Sequence, residues 1–368
     1  MRNDQGHVRR RVTGLATRTT CRWLLAAVVC CLVVVLDRVA AGQLPTATVG
    51  KEIPRDVREM YDKGLHFLAA TQAEEGDWPT GSESGPGVTG LGLMAFLASG
   101  EDPNFGLYSS NVRRALRSLI RNQDDSTGIL GTSMYHHGFA TLALAEAYGA
   151  VDDRALWEGT APARKTVGAA LELAVRAALT SQKKNPAGAW RYSPDATDAD
   201  TSVSGAVLVG LLAARNAGIE VPDEAIDRAV AYFRSMTTAS GQVGYAGHFG
   251  GFDESLARIS IGALVTALAK RRDLPEHQAT VDYLSLHLEQ MGSGNEQYAE
   301  YTRYYQAQAL FQGNVEVWEK WNKLLLRQLK AAQQPDGSFP SPFGPSVGTS
   351  MSLLAVALNY RFLPIYER

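Results

Sequence analysis

The chain has 368 residues, 45% of them hydrophobic and 20% charged, a balance that argues against disorder and fits a soluble domain with a large core. Residues 1–41 hold seven of the 36 basic and two of the 38 acidic side chains, so the remainder carries a formal charge near −7 and has no electrostatic reason to bind nucleic acid or anionic lipid. Cys21, Cys30 and Cys31 also lie in that opening stretch, so residues 42–368 have no disulfide, cysteine nucleophile or thiolate metal ligand.

In chain order, Arg9, Arg10, Arg11, Arg18 and Arg22 precede an apolar run from Trp23 to Leu36, and Val39-Ala40-Ala41 supplies small residues at the cleavage spacing. This predicts a signal peptide over residues 1–41 and export to the periplasm or the extracellular space. The run is shorter than the roughly 20 residues that span a bilayer; a leader left uncleaved as a membrane anchor is the alternative. Residues 42–55 read as a linker, and residues 56–368 as one repeat domain.

Six copies of one pattern follow. The first runs from Tyr61 through Gln72, Gly76 and Trp78 to a helix closed by Gly100. The second passes Gln123, Gly128 and Thr132-Ser133-Met134 to Gly149. The third has Gln182, Trp190, Thr201-Ser202-Val203 and Gly218. The fourth turns at Gly241–Tyr245 and re-enters helix near Arg258. The fifth, the least regular, contains Tyr301–Gln312. The sixth has Gln334-Pro335-Asp336-Gly337-Ser338-Phe339 and Thr349-Ser350-Met351. Second helices such as Ser204–Ala214 are apolar nearly all round, whereas first helices such as Ala225–Met236 keep charges on one face. Buried inner helices ringed by amphipathic outer ones satisfy both facts. The expected fold is therefore all-α, an α/α toroid of about six helical hairpins, with an open solenoid as the competing arrangement.

Gln334-Pro-Asp-Gly-Ser-Phe339, and more loosely Gln72…Gly76-Asp-Trp78, resembles the repeat of squalene–hopene cyclases and protein prenyltransferase β-subunits. The last stretch, with Tyr304-Tyr305…Gln308…Gln312, Trp318…Trp321-Asn322 and Tyr360-Arg-Phe-Leu-Pro364, is similar to exported bacterial prenyltransferase/squalene-oxidase-repeat proteins. The resemblance covers residues 55–368 and implies the toroid; the repeat is shared by enzymes and by proteins without assigned chemistry.

The resemblance to triterpene cyclases implies an Asp-x-Asp-Asp-Thr motif whose carboxylic acid protonates an alkene. Thr197-Asp198-Ala199-Asp200-Thr201 is similar but incomplete. Aligned on Asp-Thr, the central acid becomes Ala199; aligned on Asp198-x-Asp200, that acid is Asp200 and its neighbour is Thr201. Asp198 and Asp200 are the candidate catalytic residues, and an N-cap role for Asp200 is the structural alternative. Protein prenyl transfer is implied to need zinc held by an Asp, a Cys and a His, and residues 42–368 offer no Cys.

His136, His137, Thr201, Tyr245, Arg258, Tyr304 and Tyr305 are the candidate cavity-lining residues. Consecutive histidines on a helix point about 100° apart, so at most one of His136 and His137 faces the axis. With Asp198, Asp200, His248 or Asp253 that one could form a metal site, although a packed structural histidine is the simpler reading; no metal or cofactor is assigned. Arg258 is suited to clamping a carboxylate or phosphate and equally to pairing with Asp253 or Glu254. The expected ligand is an apolar, isoprenoid-like small molecule or lipid. The alternatives are an exported polysaccharide lyase or hydrolase, and a non-catalytic module that binds partners through the barrel rim.

Overall fold

The computed structural model describes residues 53–79, 84–154, 156–158, 165–247, 254–288, 298–360 and 362–366. The expected leader, most of the expected linker, and His248 and Asp253 lie outside them. Twelve α-helices follow one another among the described residues: α1 (Arg55–Thr71), α2 (Pro86–Leu97), α3 (Ser109–Arg121), α4 (Met134–Ala147), α5 (Val167–Lys184), α6 (Thr201–Asn216), α7 (Asp223–Ser235), α8 (Leu256–Leu268), α9 (Pro275–Leu286), α10 (Ala299–Gly313), α11 (Val315–Ala332) and α12 (Pro345–Ala357). The only β-type pairings in these residues are three isolated bridges at the turns. None of the helices is long and apolar enough to cross a membrane.

Hydrophobic pattern sorts the helices into two rings. In α2 every residue from Gly87 to Leu97 is buried, whereas α1 buries only the stripe Val57, Met60, Tyr61, Gly64, Leu65 and Leu68. The even-numbered helices form the inner ring, each packed on the next, and α12 returns to pack on α2. The ring closes on its outer side as well. Lys330 of α11 pairs with Asp56 of α1, and the Gln333 amide donates to the Met60 carbonyl at 2.9 Å.

The closing contact is one instance of a repeated joint. At the end of an outer helix, Gln72, Gln123, Gln182 and Gln333 each donate from Nε2 to the carbonyl of a glycine in their own turn: Gly76, Gly128, Gly188 and Gly337, at 2.7–3.0 Å. The same nitrogen donates to a carbonyl in the next outer helix, at Asn111, Ala170, Ala225 or Met60. Each of these glycines has positive φ. A Cβ at Gly76, Gly128 or Gly337 would stand 2.1–2.4 Å from a backbone oxygen of the neighbouring outer helix, so only glycine fits. In the sixth copy the joint is made by Gln333, while the Gln334 amide donates to Ala332 at an exposed position. The sequence motif is therefore one residue out of register there.

Two residues after the glycine, an apolar side chain packs the hairpin. Trp78 and Trp190 are fully buried and donate from Nε1 to Leu68 and Ala178. The backbone N–H at this position donates to a side chain of the inner helix: His137 for Leu130, Ser204 for Trp190 and Thr349 for Phe339. These three positions correspond in space, so the Thr-Ser pairs at 132, 201 and 349 do not. Finally, the chain end crosses the barrel away from the turns. Leu363 and Ile365 are buried, the short 3₁₀ turn Pro364–Tyr366 packs on α6, and the Ile365 N–H points to Glu146 of α4 at 3.5 Å.

Candidate functional site

The N-terminal ends of all six inner helices surround a cavity of about 1230 Å³. Val88 and Leu91 come from α2, Tyr135, His136 and Phe139 from α4, and Ser202 from α6. Leu256, Ala257 and Arg258 come from α8, Tyr301 and Thr302 from α10, and Val347 and Met351 from α12. The preceding turns add Tyr192, Tyr245, Glu254, Tyr298 and Phe343. Gly90 of α2 lies against the Phe139 carbonyl and Gly138 of α4 against the Ala206 backbone, so α2, α4 and α6 pack closely on one another.

The aromatic rings of the lining fall into two groups. Tyr135 lies 6.4 Å from Tyr192 in a stacked geometry, 5.4 Å from Phe139 edge-on and 6.2 Å from Tyr301. The Tyr192 and Tyr245 hydroxyls are 3.3 Å apart at the rim. Tyr298 stacks on Phe343 at 5.3 Å. The Tyr301 hydroxyl is buried without a hydrogen-bond partner of good geometry, with the hydroxyls of Tyr135, Tyr305 and Ser202 around it. Burial raises Tyr135, Tyr301 and Tyr305 well above the usual phenol value, so all three are neutral donors at any ordinary pH.

Three of the sequence candidates, His136, Tyr245 and Arg258, stand in the wall. His136 is packed on the first turn of α2, where the Gly87 N–H donates to its Nδ1 at 3.3 Å. Arg258 donates from Nε to the Val243 carbonyl at 3.0 Å. The other cavity candidates stand behind the wall. His137 is fully buried, accepts from the Leu130 N–H at Nδ1 and contacts the Ala174 carbonyl through Nε2 at 3.0 Å. Burial lowers its pKa to about 4, so the ring is neutral and works as a strut between hairpins. The Thr201 hydroxyl donates to Gly244. Tyr304 and Tyr305 pack edge-on against each other at 4.8 Å, one turn deeper than Tyr301.

Of the candidate acids, Asp198 is exposed and paired with Arg191 at 2.5 Å. Asp200 is fully buried and caps α6, its Oδ1 accepting from the Val203 N–H at 2.8 Å. Its Oδ2 has no hydrogen-bond partner and faces Arg191 Nε at 3.7 Å. Burial raises the Asp200 pKa to about 6 against the opposing pull of the Val203 and Ser202 N–H groups and Arg191. Asp200 is not part of the lining, although Ser202, two residues on, is. Among the described residues no three His, Cys, Asp or Glu side chains converge in a metal-binding group. Tyr135, Phe139, Tyr298 and Tyr301 are aromatic lining residues that the sequence did not single out. For Tyr135 the signal was its place beside His136 at the start of an inner helix.

These features define an α/α toroid with an axial cavity at the inner-helix N-termini. In fold the chain is similar to the α-1,6-mannanase GH76A of Salegentibacter sp. HEL1_6, in an inactive variant bound to α-1,6-mannotriose, with 10% identity over 82% of this chain and 99% of that one and a TM-score of 0.61. It is also similar to the type II terpene cyclase MstE from Scytonema, bound to its substrate geranylgeranyl dihydroxybenzoate, with 16% identity over 84% of this chain and 98% of that one and a TM-score of 0.57. A variant of that cyclase holding its product, merosterolic acid A, gives 16% identity over 83% and 96% of the two chains and a TM-score of 0.55. No protein-family model and no curated protein sequence matches the chain. At these identities the likeness is one of fold.

Proposed function

We propose that this chain is an exported protein that binds an elongated apolar ligand, isoprenoid or lipid in class, in its axial cavity. One observation carries the reading: Tyr135, Phe139, Tyr192, Tyr245, Tyr298, Tyr301 and Phe343 line the cavity together with Val88, Leu91, Leu256, Val347 and Met351. Such a wall removes apolar surface from water and offers aromatic faces along the whole length of a chain-like ligand. Glu254 is the one carboxylate among the described lining residues, and it accepts the Tyr283 hydroxyl at 2.9 Å. The proposal is one of binding. Asp200, the residue a cyclase-type acid step would need, stands outside the lining. The decisive experiment is mass spectrometry of an organic extract of the chain purified without detergent. A stoichiometric isoprenoid or lipid is expected; an empty extract together with no uptake of added prenols would refute the reading.

A second reading, a glycan-acting toroid, is favoured by the half-exposed rings of Tyr192 and Tyr298 at the mouth, which could serve as sugar platforms. Saturable binding of a manno-oligosaccharide with no binding of prenols would select it.

A further inference from the structure

The floor of the axial cavity holds a hydroxyl that the fold leaves without a partner. Tyr135 of α4 and Tyr301 of α10 come from opposite sides of the six-helix inner ring, and their rings meet at 6.2 Å. One turn further along the same two helices, Phe139 and Tyr304 meet at 6.1 Å. The cavity is therefore closed across the axis by an aromatic floor, and Tyr305 packs edge-on against Tyr301 at 4.9 Å below it. The Tyr301 side chain is only 9% exposed, and its hydroxyl is buried among those of Tyr135, Tyr305 and Ser202 with no hydrogen bond of good geometry. A hydroxyl buried in this way is destabilising, and a ligand oxygen that accepts its proton offsets the cost. Tyr135, Ser202 and Tyr301 all line the cavity, so the cluster is reached from inside it.

The chemistry of the cluster selects what it can hold. Burial keeps the three phenols protonated, so the group consists of neutral donors. A phosphate or carboxylate seated there would bring a charge that neutral hydroxyls do not compensate, whereas an alcohol, ether or carbonyl oxygen needs only their protons. The rest of the wall places the tail. α12 and α2 are neighbours in the ring and present only apolar side chains to the cavity: Val347, Met351, Val88 and Leu91. Phe343, stacked on the half-exposed Tyr298, continues that side to the mouth. The geometry points to head-first binding: the ligand ends in a neutral oxygen held by Tyr135, Ser202 and Tyr301, and its hydrocarbon tail runs along α12 and α2 toward the mouth. This rests on the cavity being the ligand site and narrows the ligand from any apolar chain to one with a terminal alcohol, ether or carbonyl. The Tyr301 hydroxyl is then the specificity-determining group.

Competitive loading of the full chain with geranylgeraniol and the hydrocarbon of the same skeleton, counted by mass spectrometry of the extracted ligands, tests this. The readout is the ratio of alcohol to hydrocarbon bound, compared between native chain and variant so that partition of the unbound ligands cancels. Tyr301→Phe keeps the ring and removes the hydroxyl, and should lower the ratio about tenfold, the value of one buried hydrogen bond. Ser202→Ala, on a different helix, should lower it by roughly threefold. A ratio that neither substitution changes would overturn the proposal while leaving the cavity as the binding site. Preferential loading of geranylgeranyl phosphate over the alcohol would also overturn it and assign the head group to Arg258. Uptake of none of the three by the native chain would remove the binding role of the cavity, and this proposal with it.

Discussion

The joints between hairpins and the wall of the cavity are built from the same turns, yet they follow opposite rules. At the joints one chemistry recurs: a glutamine amide bridging two carbonyls, with a glycine pressed against the next outer helix. In the cavity wall each copy contributes something different: His136 and Tyr135 from one hairpin, Ser202 from the next, then Arg258, then Tyr301. Positions that every copy must satisfy are set by closure of the ring. Positions where the copies diverge are free to be set by a ligand. In this toroid repetition reports on the scaffold and departure from it reports on the site.

The largest test of this contrast is at the ring closure. Gly337→Ala places a Cβ 2.3 Å from the Lys63 carbonyl at a φ of +91° and should cost on the order of 3 kcal/mol or more. Gly218→Ala has a similar φ of +93° but nothing within 4 Å, so it should cost only about 1 kcal/mol in denaturant unfolding. Equal losses would mean that φ alone, and not the approach of the next helix, requires glycine at the joints. Next in size, Gln182→Ala leaves the buried carbonyls of Gly188 and Ala225 without their donor and should lower stability by about 2–3 kcal/mol. A loss no larger than that of an exposed-site control would remove the bridging role.

A pH titration tests the scaffold further, because two buried scaffold groups, His137 at a joint and Asp200 at a helix cap, shift in opposite directions. The folded pKa of His137 lies near 4, below its unfolded value, so the unfolded chain takes up the proton first and stability falls as pH drops from 6.5 toward 4. The folded pKa of Asp200 lies near 6, above its unfolded value, so the folded chain takes up the proton first and stability rises as pH falls from about 6 to 4. The two trends largely cancel in the native chain. Asp200→Asn keeps the cap but removes the second trend, so the variant should lose about 2 kcal/mol between pH 7 and 5 where the native chain changes little. A variant that tracks the native curve would contradict the buried-carboxylate account. The smallest effect is expected at the rim, where Tyr245→Phe removes one hydroxyl from a 3.3 Å contact and should change stability by less than about 0.5 kcal/mol.

The scaffold was legible in the sequence because helix period and apolar content report burial directly. Ser204–Ala214, apolar all round, is an inner helix, and Ala225–Met236, charged on one face, belongs to an outer one. Register was less legible. Gln333 and Gln334 are adjacent and chemically identical, and only the four-residue spacing of Gln72 to Gly76 points to the first. The 100° rule allowed one of His136 and His137 to reach the cavity, and His136 does; the direction of the ring axis, which decides between them, is a tertiary fact. Depth was not legible at all. Tyr304 and Tyr305 lie on the same inner helix as Tyr301, but α10 presents only its first turn to the cavity, and the next turn is already wall. Asp200 shows the same limit, since a cap position and a cavity position can be two residues apart.

Isothermal titration of geranylgeraniol into the purified chain at several temperatures measures the binding role of the cavity most directly. The account predicts saturable one-to-one binding with a negative heat-capacity change, lost when Ala257→Trp fills the hollow. Absence of prenol binding by a folded chain, or binding that Ala257→Trp leaves intact, would contradict it.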